Sequence, residues 1–243
     1  LCKPLFFTVL KITAMRRLRL ISLFIVAFAL GCTDHNSDDK PIVGANGEVV
    51  VKLNPTIADN DIIDTFGDGC RMGVYVVNYK GDKPSGIAAK GNQVDNAAFV
   101  YSSTSDSWHS ESEVYFRDDK TKVDIIAYSP YKQINDISNL YFCVAGDQTQ
   151  SVESSILMWC RERGEIPTTE GVDIGLSPLV AGIEVHLTEG SGWSEGEWQS
   201  ATKGVVVMNT QRESYLNVVS GTLRLAESSP TEIKAYCDGD SFK

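Results

Sequence analysis

The sequence predicts an all-β fold, a sandwich or barrel of antiparallel strands, on two observations. From Glu48 onward, short runs rich in Val, Ile, Tyr and Phe recur between Asp-Gly, Lys-Gly-Asp and Asp-Asp-Lys clusters. Beta-branched and aromatic residues suit a pleated, half-buried surface, and the clusters between them supply turns. The second observation is that no stretch sustains a capped helical period, the weak exception being Thr149 to Cys160. With 42% hydrophobic and 22% charged residues in a chain of 243, the composition is that of a globular protein with a buried core.

The chain begins with residues 1–14, LCKPLFFTVLKITA, which precede Met15 and are expected to lie outside the fold, as translation from upstream of the true start. Met15 to Cys32, MRRLRLISLFIVAFALGC, reads as an address. Arg16, Arg17 and Arg19 form a charged head, Leu20 to Leu30 an apolar run, and Gly31-Cys32 a small residue followed by cysteine, the order of a secretory signal. The run is shorter than the roughly 20 apolar residues a spanning helix needs. Ala29-Leu30-Gly31-Cys32 resembles the lipobox of bacterial lipoproteins, with Ala29 where a leucine is usual. The resemblance implies cleavage after Gly31 and acylation of Cys32, and several acyl chains together hold a protein stably on a membrane.

Residues 32–47 are polar and acidic, too poor in apolar area to offset the entropy of ordering, and are expected to form a flexible tether. Ser37-Asp38-Asp39 resembles the acidic signal that sends lipoproteins of Bacteroides-type bacteria to the outer face of the outer membrane. Strands are then expected at EVVVKL (Glu48 to Leu53), MGVYVVNY (Met72 to Tyr79), AAFVYS (Ala97 to Ser102), EVYFR (Glu113 to Arg117) and VDIIAY (Val123 to Tyr128). In the second half, Ala181 to Leu187 alternates so that Ile183, Val185 and Leu187 face a core while Glu184 and His186 face out. Further strands are expected at Gly204 to Met208, Ser214 to Val218 and Gly221 to Leu225, and a long loop at Gly190 to Ser200.

The order of these segments resembles the fimbrillin-like lipoproteins of Bacteroides-type bacteria. The residues that carry the likeness are Met72-Gly73-Val74-Tyr75-Val76, Trp108 before Val114-Tyr115-Phe116, Val123 to Tyr131, Asp147-Gln148 and Ile156-Leu157-Met158-Trp159. The resemblance implies transthyretin-like β-sandwich domains, with residues 48–226 forming the N-terminal one and 227–243 the start of a truncated second. It implies a non-catalytic protein of the cell outer membrane, a fimbrial component or adhesin that joins other subunits by strand addition. Pro178 stands where the family tends to carry a histidine. No arginine lies between Cys32 and Arg71, only Lys40 and Lys52, whereas stem-forming members are cut after a basic residue near the first strand.

A net charge of -10, with no cluster of Lys and Arg after Arg19, disfavours nucleic acid and anionic headgroups as direct partners. Cys70, Cys143, Cys160 and Cys237 are widely spaced, which suits buried thiols or a single bridge better than zinc. His35, His109 and His186 show no convergence on a catalytic or metal site. Asp59 to Asp68 lacks the alternation of a calcium loop, since Ile62 and Ile63 interrupt it. Glu111, Glu113, Asp118 and Asp119 are expected to face water. No cofactor is expected. Trp108 is expected to fold back over the end of the sandwich, whereas Trp193 and Trp198, in a glycine-rich stretch, are candidate contacts for a glycan or protein partner. Stacking of sugar on those two rings is the alternative reading of function.

Overall fold

A computed structural model describes residues 6–12, 47–58, 63–150, 152–237 and 241–242. Gly31, Cys32, His35 and the tether through residue 46 lie outside the described residues, as do Asp59 to Ile62. In chain order the strands are β1 (Phe6–Ile12), β2 (Val49–Val50), β3 (Leu53–Ile57), β4 (Arg71–Lys80), β5 (Lys83–Pro84) and β6 (Val94–Ser102). There follow β7 (Ser107–Ser110), β8 (Tyr115–Phe116), β9 (Val123–Ser129), β10 (Leu140–Cys143), β11 (Met158–Glu165) and β12 (Val172–Pro178). The last are β13 (Ile183–Thr188), β14 (Lys203–Thr210), β15 (Glu213–Asn217), β16 (Thr222–Leu225), β17 (Thr231–Cys237) and β18 (Ser241–Phe242). The fold is an all-β sandwich, as the sequence predicts. Thr149 to Cys160 is not a helix, because only Glu153–Ser155 makes a turn of 3₁₀ before Met158 enters a strand.

The main sheet runs β3-β12-β11-β9-β4-β6-β7, with β5 folded back on β4. Its pairs are antiparallel except β3, which lies parallel to β12. All seven residues of β9 and six of β4 are buried, because both faces of the sheet are covered. Alternate side chains go to opposite faces. Val74, Val76, Ile125 and Ala127 meet Phe116, Val49 and Val51 on one side, where the β2-β8 pair closes the core. Tyr75, Ile126 and Tyr128 meet Phe142 and Leu216 on the other, under the three-stranded sheet β10-β15-β16. The single run EVVVKL therefore splits. Val49–Val50 pairs with β8 in one place and Leu53 with Val172 in another, and exposed Lys52 makes the crossing.

Two continuous arms give the second half its form. β14 runs through Gln211-Arg212 into β15, and β16 runs through 226–230 into β17, so that β14 pairs with β17 and β15 with β16 as one bent ribbon. The register slips between Val207 and Thr210, and a bulge of this kind bends a strand and increases its twist. The bend is held by Gln211 Nε2, which donates to Ala226 O and Ser228 Oγ, both at 2.8 Å, and by Arg212 Nε, which donates to Thr231 Oγ1 at 2.8 Å. Beyond the bend, β15-β16 packs on the main sheet. Its tip is fixed by Trp159 Nε1, which donates to Val218 O at 2.7 Å, and by Gly221, where a Cβ would lie 2.5 Å from the Trp159 ring.

Before the bend, β14-β17 packs over β13 around a small separate core of Val185, Leu187 and Trp198. Val185 and Leu187 face inward and His186 outward, as their alternation predicts. A boundary at 226/227 cuts through the paired ribbon. The small core around Trp198 parts from the core under β10-β15-β16 near 180–183, and the ribbon spans both. Residues 6–12, set outside the fold by the sequence reading, form a strand antiparallel to β13, with Phe6 opposite Thr188 and Ile12 opposite Ile183. The segment FFTVLKI is rich in residues of high β propensity, and β13 offers it an edge.

Candidate functional site

Among the described residues Asp124 is the most deeply buried charge, and it locks the ribbon onto the sheet. On β9 it has no solvent exposure, and its Oδ2 accepts from Arg161 Nη2 at 2.7 Å and Nε at 3.1 Å. Its Oδ1 accepts from Tyr79 OH at 2.8 Å and Gly164 N at 3.1 Å. Arg161 Nη1 then donates to Val219 O at 3.2 Å, which ties the ribbon tip to β11. This arrangement satisfies the carboxylate completely and leaves it no oxygen for chemistry, so its work is structural.

The proximal ribbon is different in kind. β14 pairs with β17 on one side, and among the described residues its other edge has no strand partner. The second edge of β17 is taken by the loop at Gly146–Gln148, with Gln148 N donating to Lys234 O and Lys234 N to Gly146 O, both at 2.9 Å. An open edge presents a row of main-chain donors and acceptors to another chain. Here the row is flanked by Val206 and Met208, which are 48% and 69% exposed and belong to the outward face of β14. The opposite face of β14 lines an apolar cleft of about 390 Å³ between the small core and the core under β10-β15-β16. Val205, Val207 and Ile233 form its roof and Leu179, Val180 and Ile183 its floor. β3, at the far end of the main sheet, is a second edge, but it carries Pro55, which has no N–H to offer an incoming strand.

The candidate ligand contacts take unexpected positions. Trp198 is only 4% exposed because the short helix Glu197–Ser200 turns it into the small core, where Trp193 packs on it edge to face at 5.2 Å and Lys203 Nζ lies 4.7 Å over its ring. The Trp198 ring face is therefore not a platform for sugar, although residues 190–196 form the turns of the loop that the sequence predicts. Trp108 does fold over the sandwich end, packed edge to face on Phe66 at 4.9 Å.

The remaining candidates serve local contacts. Asp68 accepts from Ser103 N and Oγ, which holds its carboxyl below the usual range. Asp118 accepts from the main chain of Thr121 and Lys120, Glu111 pairs with Arg71, and Glu113 accepts from Tyr115 OH. His109 is exposed, and His186 lies 3.0 Å from Glu184 Oε1. Cys70, Cys143 and Cys160 are free thiols, and burial pushes that of Cys160 up to about 12. Among the described residues no group of three or more His, Cys, Asp and Glu converges to hold a metal ion.

The fold is thus a sandwich buried on both faces of its main sheet, with an open ribbon edge. Residues 57–242 match the family model described as fimbrillin-like, and the chain belongs to that family. Two solved structures share the fold. One is of a candidate cell adhesion protein from Bacteroides uniformis, 19% identical, with 81% of this chain and 73% of that one aligned at a TM-score of 0.53. The other is of a candidate cell adhesion protein from Bacteroides ovatus, 14% identical, with 79% and 76% aligned at a TM-score of 0.54. No protein of curated function matches the chain.

Proposed function

We propose that the protein is a surface-exposed, lipid-anchored, non-catalytic component of a fimbrium or an adhesin, held to the cell outer membrane through Cys32 and joined to other subunits by strand addition. The observation that carries this reading is the open edge of β14 in a chain of the fimbrillin-like family. In strand addition, main-chain hydrogen bonds supply affinity and side chains on alternate positions supply specificity. β14 meets both needs, with a one-sided ladder and with Val206 and Met208 available to a partner. The burial of Trp198 weighs against sugar stacking as the adhesive chemistry.

Metabolic labelling with palmitate, combined with protease treatment of intact cells, tests the anchor and the address together. The wild-type chain is expected to take up label and to be digested from outside, and Cys32→Ser to lose the label and leave the outer membrane fraction. A labelled chain that resists protease until cells are broken would contradict surface display. An unlabelled wild type would contradict the anchor.

A further inference from the structure

The cleft under the ribbon has a composition at odds with the rest of the chain. The protein carries 32 acidic and 22 basic residues, yet among the described residues no carboxylate lines the cleft, and the charged residues that line it are Arg212 and Lys234. Lys234 has a loose partner, Asp147, at 3.8 Å. Arg212 hydrogen-bonds to neutral acceptors, Thr231 Oγ1 at 2.8 Å and Val144 O at 3.2 Å. Glu213, next in the chain, is engaged elsewhere, accepting from Tyr141 OH at 2.7 Å. That bond and one from Ser228 chiefly hold the Glu213 carboxyl below the usual range, with a smaller contribution from the neighbouring Arg212 charge.

A cavity of about 390 Å³ falls within the roughly 300–1,000 Å³ of sites for small molecules, which are mostly apolar with a few convergent polar groups. The walls here are aliphatic, from Leu179, Val180, Ile183, Val205, Val207 and Ile233, and offer no aromatic face for a flat ring. An apolar chain fits such walls, and an anion at its end meets the guanidinium in a charge-assisted hydrogen bond. We propose that this cleft binds a fatty carboxylate, its alkyl chain between the ribbon and Leu179–Ile183 and its carboxylate at Arg212. The site is on the inner face of the ribbon, separate from the β14 edge, and does not depend on the adhesive role.

The test is displacement of anilinonaphthalene sulfonate from the full chain by laurate, dodecanol and dodecylammonium, with direct calorimetric titration of laurate. Saturable binding of laurate at one site is expected, with dodecanol weaker and dodecylammonium weakest. Arg212→Gln should weaken laurate about tenfold or more, the scale of a hydrogen bond to a charged group, and weaken dodecanol by a clearly smaller factor. Val207→Trp and, independently, Ala235→Leu should obstruct the cleft and weaken both ligands while the urea midpoint reports a folded chain. Failure of laurate to bind the wild type would overturn the proposal. So would equal binding of dodecylammonium, or full laurate binding by both folded filling variants. Laurate binding that disappears as the protein self-associates would assign the cleft to a second copy and likewise overturn it.

Discussion

Asp124→Ala is expected to lower stability by about 3–5 kcal/mol, the range for breaking one partner of a buried ion pair. Four donors converge on this fully buried carboxylate, and its loss leaves the Arg161 guanidinium, with only 14% of its side chain exposed, without a counter-charge. Asp124→Asn preserves the shape and can still accept from Tyr79 and Gly164, so it should cost less. The double change Asp124→Leu with Arg161→Met should recover much of the loss, because an apolar pair of similar volume often replaces a buried ion pair without penalty. Urea denaturation of the four proteins measures this. A single Asp124→Ala chain as stable as wild type would mean that the network does not hold the sheet to the ribbon.

Leu216→Ala is the second large effect, about 2–5 kcal/mol for a buried leucine whose surroundings relax only in part. Leu216 has no solvent exposure and lies between Leu140 and Leu223 in the three-stranded sheet, directly over Tyr75, Ile126 and Leu157. The loss should be local first. Hydrogen exchange should show the amides of β15 and β16 exposed before those of β4 and β9, since sub-global opening follows packed units. A uniform loss across both sheets would instead make the ribbon part of one indivisible core.

Much of the fold was legible in the sequence, and where it was not, the reasons are physical. β4 and β9 are short apolar runs, and β13 alternates, so each could be read from its own residues. β11, MWCRERGE, could not, because Arg161 reads as a solvent-facing charge until Asp124 is found opposite it. β12 was hidden by Gly175 and Pro178, yet Pro178 sits at the end of its strand, opposite Met158, where a missing N–H costs little. Trp198 misled for the converse reason. Its glycine, serine and glutamate neighbours mark a loop, and only the turn of helix at Glu197–Ser200 shows that the ring goes inward. The cleft was beyond sequence reasoning, since its walls come from segments as distant as Val144 and Ala235. A hint of the bend was present in Asn209-Thr210-Gln211-Arg212, a polar interruption between two strand-like runs.

Assembly through the ribbon edge is the claim most directly open to measurement, by hydrogen exchange of the chain as monomer and in fimbriae sheared from the cells that make it. Slowed exchange across 203–210 in the assembled state, with β9 unchanged, is the predicted result. Exchange of β14 as fast in fimbriae as in the monomer, or absence of the chain from fimbriae altogether, would contradict it.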